Sequence, residues 1–358
     1  MKMDSVPRRI PGAARAARGG SNVNLRTWFV KPGNWVVVIL LTGAVLLPGI
    51  GMADALSDCM REMLPLADDD TTIGELRRQC REKLNRVEPS GEDDIAPVLT
   101  ERLQQDEENV LEPFTLMSHK PNYLLFGAHN FSGYDPELYR LQDNDPSLDV
   151  SDTEVQFQIS LKTPLAVGLF DLFDIYAGYT NHSFWQLYDS DSAPFRETEH
   201  EPEVWLQFQP GWSFLGIRNT VNAVGFVHQS NGQGGVLSRS WNRIYAAMGL
   251  EMGPLALGIK PWYRIPEDDE DDDNPDITDY LGHCELRAAY KWHDHVFSVM
   301  SRNNLESGFS KGAVELTWSF PFGDYPFLKG YVQYFNGYGE SLIDYDRHVN
   351  KIGIGIAV

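Results

Sequence analysis

The 358-residue sequence has little cysteine, a shortage of positive charge and, beyond its first fifty residues, no long apolar run. Three cysteines permit at most one intramolecular disulfide. Thirty Lys and Arg stand against 51 Asp and Glu, a net charge of -21. Phosphate binding needs a basic face, so nucleic acid is excluded as a partner. A membrane-spanning helix needs about 18 or more consecutive apolar residues. None follows residue 50, which excludes a helical multi-span membrane protein. Hydrophobic residues nonetheless make up 42% of the chain, enough to exclude global disorder. A soluble fold and a transmembrane β-barrel both remain, because barrels do not look hydrophobic by average composition.

The first fifty residues have the character of a targeting segment. Arg8, Arg9, Arg15, Arg18, Arg26 and Lys31 precede an apolar run from Val36 to Leu47, and the small residues Gly49, Gly51 and Ala53 follow. This pattern predicts a secretory signal over residues 1–53, with a retained single-span anchor as the alternative. The short run and Pro48 favour the signal. Export places Cys59 and Cys80 in an oxidising compartment, where a bridge between them would staple two short helices, with two unpaired thiols as the alternative. Those helices are expected at residues 55–64 and from the capping box Thr72-Ile73-Gly74-Glu75 to Val87. Residues 88–115 are acidic and contain proline, and are expected to be a linker. Residues 54–115 would then form a periplasmic extension ahead of a domain spanning 116–358. Cys284 is left without a partner, as an inert buried or lipid-facing thiol.

From residue 120 the hydrophobic period becomes two. Glu154-Val155-Gln156-Phe157-Gln158-Ile159-Ser160-Leu161-Lys162 alternates without error, so one strand face is apolar and the other polar. Twelve such segments are expected, near 122–132, 152–163, 172–184, 202–210, 217–229, 240–251, 255–265, 281–292, 294–302, 312–320, 327–337 and 349–358. Their connections alternate between long and mostly short, the pattern of an outer-membrane barrel with an even strand number. The fold class expected is all-β, a twelve-stranded antiparallel transmembrane β-barrel with a short helical N-terminal extension. Charged residues fall on the inferred inner face. Trp185, Trp212, Trp262, Trp318 and Tyr338 fall near strand ends, as interface girdles do.

The chemistry lies on two adjacent strands. His228 and Ser230 are two apart and share parity with Val224 and Phe226; Asn242 shares parity with Ile244, Ala246, Met248 and Leu250. All three polar side chains therefore belong to the apolar, outward face. A serine nucleophile needs a base within hydrogen-bond reach, and the base needs a third group to fix its tautomer. Ser230, His228 and Asn242 can fill these roles, although the same residues also fit an unreactive polar rim. A site on the outer wall of a barrel faces phospholipid acyl esters. The loop between the strands, Asn231 to Arg239, is Gly-rich, and its hydroxyl and carbonyl oxygens suit calcium, with Ser238 the best side-chain ligand. Spacing alone equally allows an ordinary loop. The acidic run Glu267 to Asp273 reads as a solvated charge run, or as a divalent-cation site involving Asp272 or Asp273.

The segments His228-Gln229-Ser230-Asn231-Gly232 and Ser238-Arg239-Ser240-Trp241-Asn242-Arg243 closely resemble the outer membrane phospholipase A family. So do Ser192-Ala193-Pro194-Phe195-Arg196-Glu197-Thr198, Lys260-Pro261-Trp262-Tyr263, Asp273-Asn274-Pro275-Asp276-Ile277-Thr278 and Gly337-Tyr338-Gly339-Glu340-Ser341-Leu342-Ile343-Asp344-Tyr345. The resemblance covers about 120–358 in consistent order. It implies a twelve-stranded outer-membrane barrel with phospholipase A1, A2 and lysophospholipase activity on phospholipid and lysophospholipid. It implies Ser230 as nucleophile, His228 as base and Asn242 as orienter. It also implies activation by homodimerisation and a Ca2+ cofactor held by the Ser238 hydroxyl, the main-chain carbonyl of Gln233 and that of Ser192 from the partner subunit. Gln233 stands where Arg is familiar in the family, and Asn181 stands at the interface position of a buried Gln. The rival reading is a non-enzymatic barrel, a small pore or structural protein.

Overall fold

The structure, a computed structural model, describes residues 59–66, 76, 79–80, 83, 98–110, 115–170, 172–189, 193–268, 270–323 and 325–358. The expected signal over 1–53 and the capping box at Thr72 lie outside the described residues. Twelve long strands follow one another: β1 Tyr123–Asn130, β2 Thr153–Leu169, β3 Phe173–Trp185, β4 Phe195–Phe208, β5 Ile217–Ser230 and β6 Ser240–Met252. The second half comprises β7 Leu255–Ile265, β8 Cys284–Trp292, β9 His295–Asn303, β10 Gly312–Phe322, β11 Tyr325–Gly337 and β12 Val349–Ala357. Each pairs antiparallel with its sequence neighbour, and β12 pairs with β1, so the sheet closes into a barrel without edges. The short strands Met117–Ser118 and Ser213–Phe214 attach to β2 and β5.

Alternation decides what each face does. Along β2, Glu154, Gln156, Ser160 and Lys162 are buried inside the barrel while Ile159 is exposed on the outer wall. In β12, Lys351 is buried and Ile352 and Ile354 are exposed. The interior is filled by ion pairs of both signs. Lys120 meets Glu201 at 2.6 Å, Tyr245 donates to Glu203 at 2.8 Å, and Arg287 meets Glu285 at 2.6 Å. An internal cavity of about 540 Å³ among these charges is what remains of a lumen.

Three expectations need correction. First, β4 begins at Phe195, seven residues before the expected start at 202. Its early part carries Glu197 and Glu199 inside and Thr198 and His200 outside, so neither face is apolar and the alternation gives no signal. Second, Trp262 is not a girdle residue. It shares parity with Lys260 and is 3% exposed inside the barrel, edge-on to Trp241 at 6.5 Å.

Third, residues 88–115 are not all linker. Val98–Asn109 form a helix, α1, seated at the barrel end that carries the short connections. Its apolar stripe is short, with Leu99 and Leu103 half-buried one turn apart before Asp106, and ionic contacts to the strands add to it. Glu101 pairs with Lys291 and Asp106 with Lys162, each at 2.5 Å. Glu251 of β6 accepts from the backbone N–H of Leu99 and Thr100 at 2.6 and 2.9 Å, and from the Thr100 hydroxyl at 2.6 Å. A carboxylate thus satisfies donors that the helix cannot satisfy itself and meets the positive end of its dipole. Ahead of α1, residues 59–63 are helical, as are Leu76, Gln79, Cys80 and Lys83, and Cys59 and Cys80 form a disulfide. Cys284 is a free, half-buried thiol.

At the opposite end, the long connections are tied together by a buried ion network. Arg196 meets Glu154 at 2.9 Å and Asp344 at 2.5 Å, and Lys351 meets Glu154 at 3.2 Å and Glu340 at 2.5 Å. Glu197 and Glu199 accept backbone N–H from Ile343 and Leu342 at 3.0 and 2.6 Å. Two segments distant in sequence, around Arg196 and around Asp344, thereby form one platform beneath the loop that follows β5.

Candidate active site

β5 and β6 pair with His228 directly opposite Asn242 and Ser230 opposite Ser240. Phe226 is 40% exposed on the outer wall, whereas Val227 between it and His228 is 1% exposed and faces inward. Parity therefore puts His228, Ser230 and Asn242 together on the outer wall, at the long-loop end, as the sequence predicted. His228 Nδ1 lies 2.9 Å from Asn242 Oδ1. With Nδ1–H donating to that oxygen, Nε2 is the nitrogen left to accept a proton. No hydrogen bond joins the Ser230 hydroxyl to His228 among the described residues. Nucleophile–base hydrogen bonds are often open without substrate, and the two residues share one strand face at adjacent positions.

A third link continues the series. Asn242 Nδ2 donates to Glu267 Oε1 at 2.9 Å. Because the amide nitrogen is held by a carboxylate, the amide oxygen is the atom turned to the imidazole. Asn242 pairs in register with Ile265, so Glu267, two residues past the end of β7, continues along the same outward face.

The loop 231–239 is shaped by Asn231. Its Nδ2 donates to Glu197 at 3.2 Å and to the Leu237 carbonyl at 2.8 Å, and its Oδ1 accepts from the N–H of Gln233 and Arg239 at 3.2 and 3.1 Å. Gly232 has φ +64°, a left-handed conformation that side chains disfavour. From the other side, buried Asn274 accepts the Ser240 N–H at 3.0 Å, and Tyr345 donates to Asp276 at 2.5 Å. Burial and the hydrogen bond to Asp276 push the Tyr345 phenol above its usual range. Behind the site, Gln229 Oε1 accepts from Trp241 and Arg243 at 3.0 and 2.8 Å, while its Nε2 donates to Glu199 at 2.8 Å. The strand that carries Ser230 is thus fixed from the inside.

The acidic run is only partly a solvated one. Asp268 and Glu270 are exposed, but Asp272 pairs with Arg264 at 2.5 Å and Glu267 is committed to Asn242. Asp273 accepts from the Ser238 hydroxyl at 2.5 Å. Among the described residues, no group of three or more His, Cys, Asp or Glu could hold a metal by itself. A cation here would recruit hydroxyl and carbonyl oxygens, and the donor set fits a hard ion. Ser238 shares its loop with the exposed residue Gln233, and the Asp273 carboxylate faces Ser238. Ser192 lies outside the described residues.

Beside Ser230, across the β4–β5 pairing, stands His200, whose Nδ1 is 2.6 Å from the Tyr179 hydroxyl. Asn181, opposite His200 on β3, accepts from Ser183 at 3.0 Å and donates to the Glu199 carbonyl at 3.4 Å. Sequence reasoning offered Asp273 for a cation site without placing it against Ser238, and missed Glu267 and His200 as neighbours of the site. Only the shared parity of His200 and Ser230 across two strands could have pointed to one of them.

Residues 99–358 match the model of a family described as Phospholipase A1. The Phospholipase A1 of Klebsiella pneumoniae is 37% identical over 256 residues, covering 71% of this chain and 85% of the relative. A calcium-bound dimer of the Salmonella typhi outer membrane phospholipase superposes with a TM-score of 0.64 at 36% identity, covering 70% of this chain and 96% of that one. The outer membrane phospholipase A of Escherichia coli, in an asparagine-to-alanine active-site mutant at pH 6.1, does so with the same TM-score, identity and coverage.

Proposed function

We propose a mechanism from one premise: the chain belongs to the phospholipase A1 family. It is a phospholipase and a bacterial outer-membrane β-barrel, so the rival reading of a non-enzymatic pore falls away. Within that family, the chain hydrolyses acyl esters of phospholipid and lysophospholipid at both glycerol positions, through Ser230, His228 and Asn242 on the lipid-facing wall. The observation that carries this reading is the 2.9 Å contact of His228 Nδ1 with Asn242 Oδ1 on the outer face. A serine stands two residues from that histidine, in reach of an acyl chain rather than of the lumen.

Ser230 Oγ attacks the ester carbonyl as its proton passes to His228 Nε2. Asn242 Oδ1 holds the imidazolium through Nδ1–H. His228 then returns the proton to the departing glycerol oxygen, which leaves an acyl-Ser230 ester and a lysophospholipid. Water, deprotonated by His228, attacks that ester, and His228 returns the proton to Ser230 Oγ as the bond to the acyl group breaks and the fatty acid leaves. Polar side chains on a lipid-facing surface are costly unless they satisfy one another, and the His228–Asn242–Glu267 series does so.

Calcium would be held by the Ser238 hydroxyl and by the main-chain carbonyls of Gln233 and of the partner subunit's Ser192, and would supply positive charge to the developing oxyanion. A ligand from a second barrel makes activity depend on dimerisation. Asn181, spent on hydrogen bonds within its own sheet, offers a weaker dimer contact than the longer Gln would. We assign residues 1–53 as the export signal, 54–115 as a periplasmic extension that includes the disulfide and α1, and 116–358 as the catalytic barrel. Hydrolysis of phosphatidylcholine in detergent micelles tests the reading, with wild type and Ser230→Ala each in calcium and in chelator. Activity confined to wild type with calcium is expected; activity in Ser230→Ala would refute it.

A further inference from the structure

We propose that Glu267 is a positioning residue, supplying through Asn242 the negative charge that a Ser–His–Asn relay lacks. The inference rests on the triad reading above. An asparagine orients the imidazole but is neutral, so it stabilises the imidazolium of the acylation step less than a carboxylate does. Here the carboxylate sits one residue further out, with Asn242 Nδ2 donating to Glu267 Oε1 at 2.9 Å and His228 Nδ1 facing Asn242 Oδ1 at 2.9 Å. The two hydrogen bonds run through one amide, so the carboxylate polarises the carbonyl that faces the imidazole.

Two further observations support a role in chemistry. Glu267 is half-buried and, among the described residues, no Lys or Arg pairs with it, because nearby Arg264 is taken by Asp272 at 2.5 Å. Its charge is therefore not neutralised locally. It stands on the outward parity of β7, the face shared by Asn242.

The test uses the full-length protein in phosphatidylcholine–detergent micelles, with calcium raised until the rate no longer depends on it. Wild type, Ser230→Ala, Glu267→Gln, Asn242→Asp and the double variant Asn242→Asp/Glu267→Gln are compared. Glu267→Gln keeps an acceptor for Asn242 and removes the charge. It is expected to lower kcat about fivefold to tenfold with KM unchanged, the size of one charge acting at close range in a partly screened site. Asn242→Asp sets two carboxylates against each other and is expected to fall further. Adding Glu267→Gln should then restore activity above that of Asn242→Asp alone, because the introduced amide can donate to the new carboxylate. The same substitution thus harms one background and helps the other, which a residue that merely braces the loop would not produce. Activity of Glu267→Gln within twofold of wild type would overturn the inference, as would a loss in both backgrounds or a deficit that disappears at saturating calcium. Full activity in Ser230→Ala would instead overturn the triad reading itself.

Discussion

Asn242 Oδ1 lies 2.9 Å from His228 Nδ1, on a barrel wall where the flanking residues of the same parity, Phe226 and Ile244, are exposed hydrophobics. The imidazole is therefore held from outside the barrel. His228→Ala is expected to lower kcat on the order of 10⁴-fold and Asn242→Ala on the order of 10²-fold, since an orienter acts through the base. Steady-state hydrolysis in micelles checks both. Equal losses in the two variants would place Asn242 in direct contact with the reaction.

Ser238 carries the side-chain oxygen proposed for calcium, held against Asp273 at 2.5 Å. Ser238→Ala should raise the calcium concentration for half-maximal activity about tenfold, the size expected for losing one ligand from a small set. Asp273→Asn should shift the same titration in the same direction, by a smaller factor. Chelator should abolish wild-type activity reversibly. A titration curve unchanged in Ser238→Ala would move the metal elsewhere.

α1 is held to the barrel by charge, with Glu251 accepting two backbone N–H groups of its first turn at 2.6 and 2.9 Å. Glu251→Ala removes this cap at a cost of about 1 kcal/mol to the helix. Amide exchange over 98–109 should accelerate about fivefold while the strands stay protected. Unchanged exchange there would show that the pairs at Lys162 and Lys291 suffice.

The pair Glu154–Arg196 is nearly inaccessible to solvent and carries Lys351 and Asp344 with it. Glu154→Ala leaves Arg196 and Lys351 short of a counter-charge in the barrel interior, at a cost of about 3–5 kcal/mol. Urea unfolding in detergent, followed by tryptophan fluorescence, should show that loss. A cost below about 1 kcal/mol would mean that water reaches the network.

The strands, their order and the outward parity of Ser230, His228 and Asn242 were legible because alternation needs only neighbouring residues. What was not legible depends on residues far apart or on a face with no hydrophobic contrast. The early part of β4 is polar on both sides at Glu197, Thr198, Glu199 and His200. α1 carries only a short apolar stripe at Leu99 and Leu103, and Lys162, Lys291 and Glu251, distant in sequence, help to hold it. Trp262 reads as a membrane-interface aromatic by composition, yet its parity with Lys260 turns it inward. Glu267 looks like one more acid in a solvated run, and only the fold brings it to Asn242, 25 residues earlier.

An activated Ser230 on the lipid-facing wall is the central prediction, and covalent labelling reads it directly. The folded protein would be treated, with calcium and in detergent micelles, with a long-chain alkanesulfonyl fluoride, a reagent that sulfonylates activated serines. The label would then be located by mass spectrometry of the digested chain. One label per chain at Ser230, absent after His228→Ala or chelation, is the predicted result. Loss of activity with the label on another residue, or full labelling of Ser230 after His228→Ala, would contradict it.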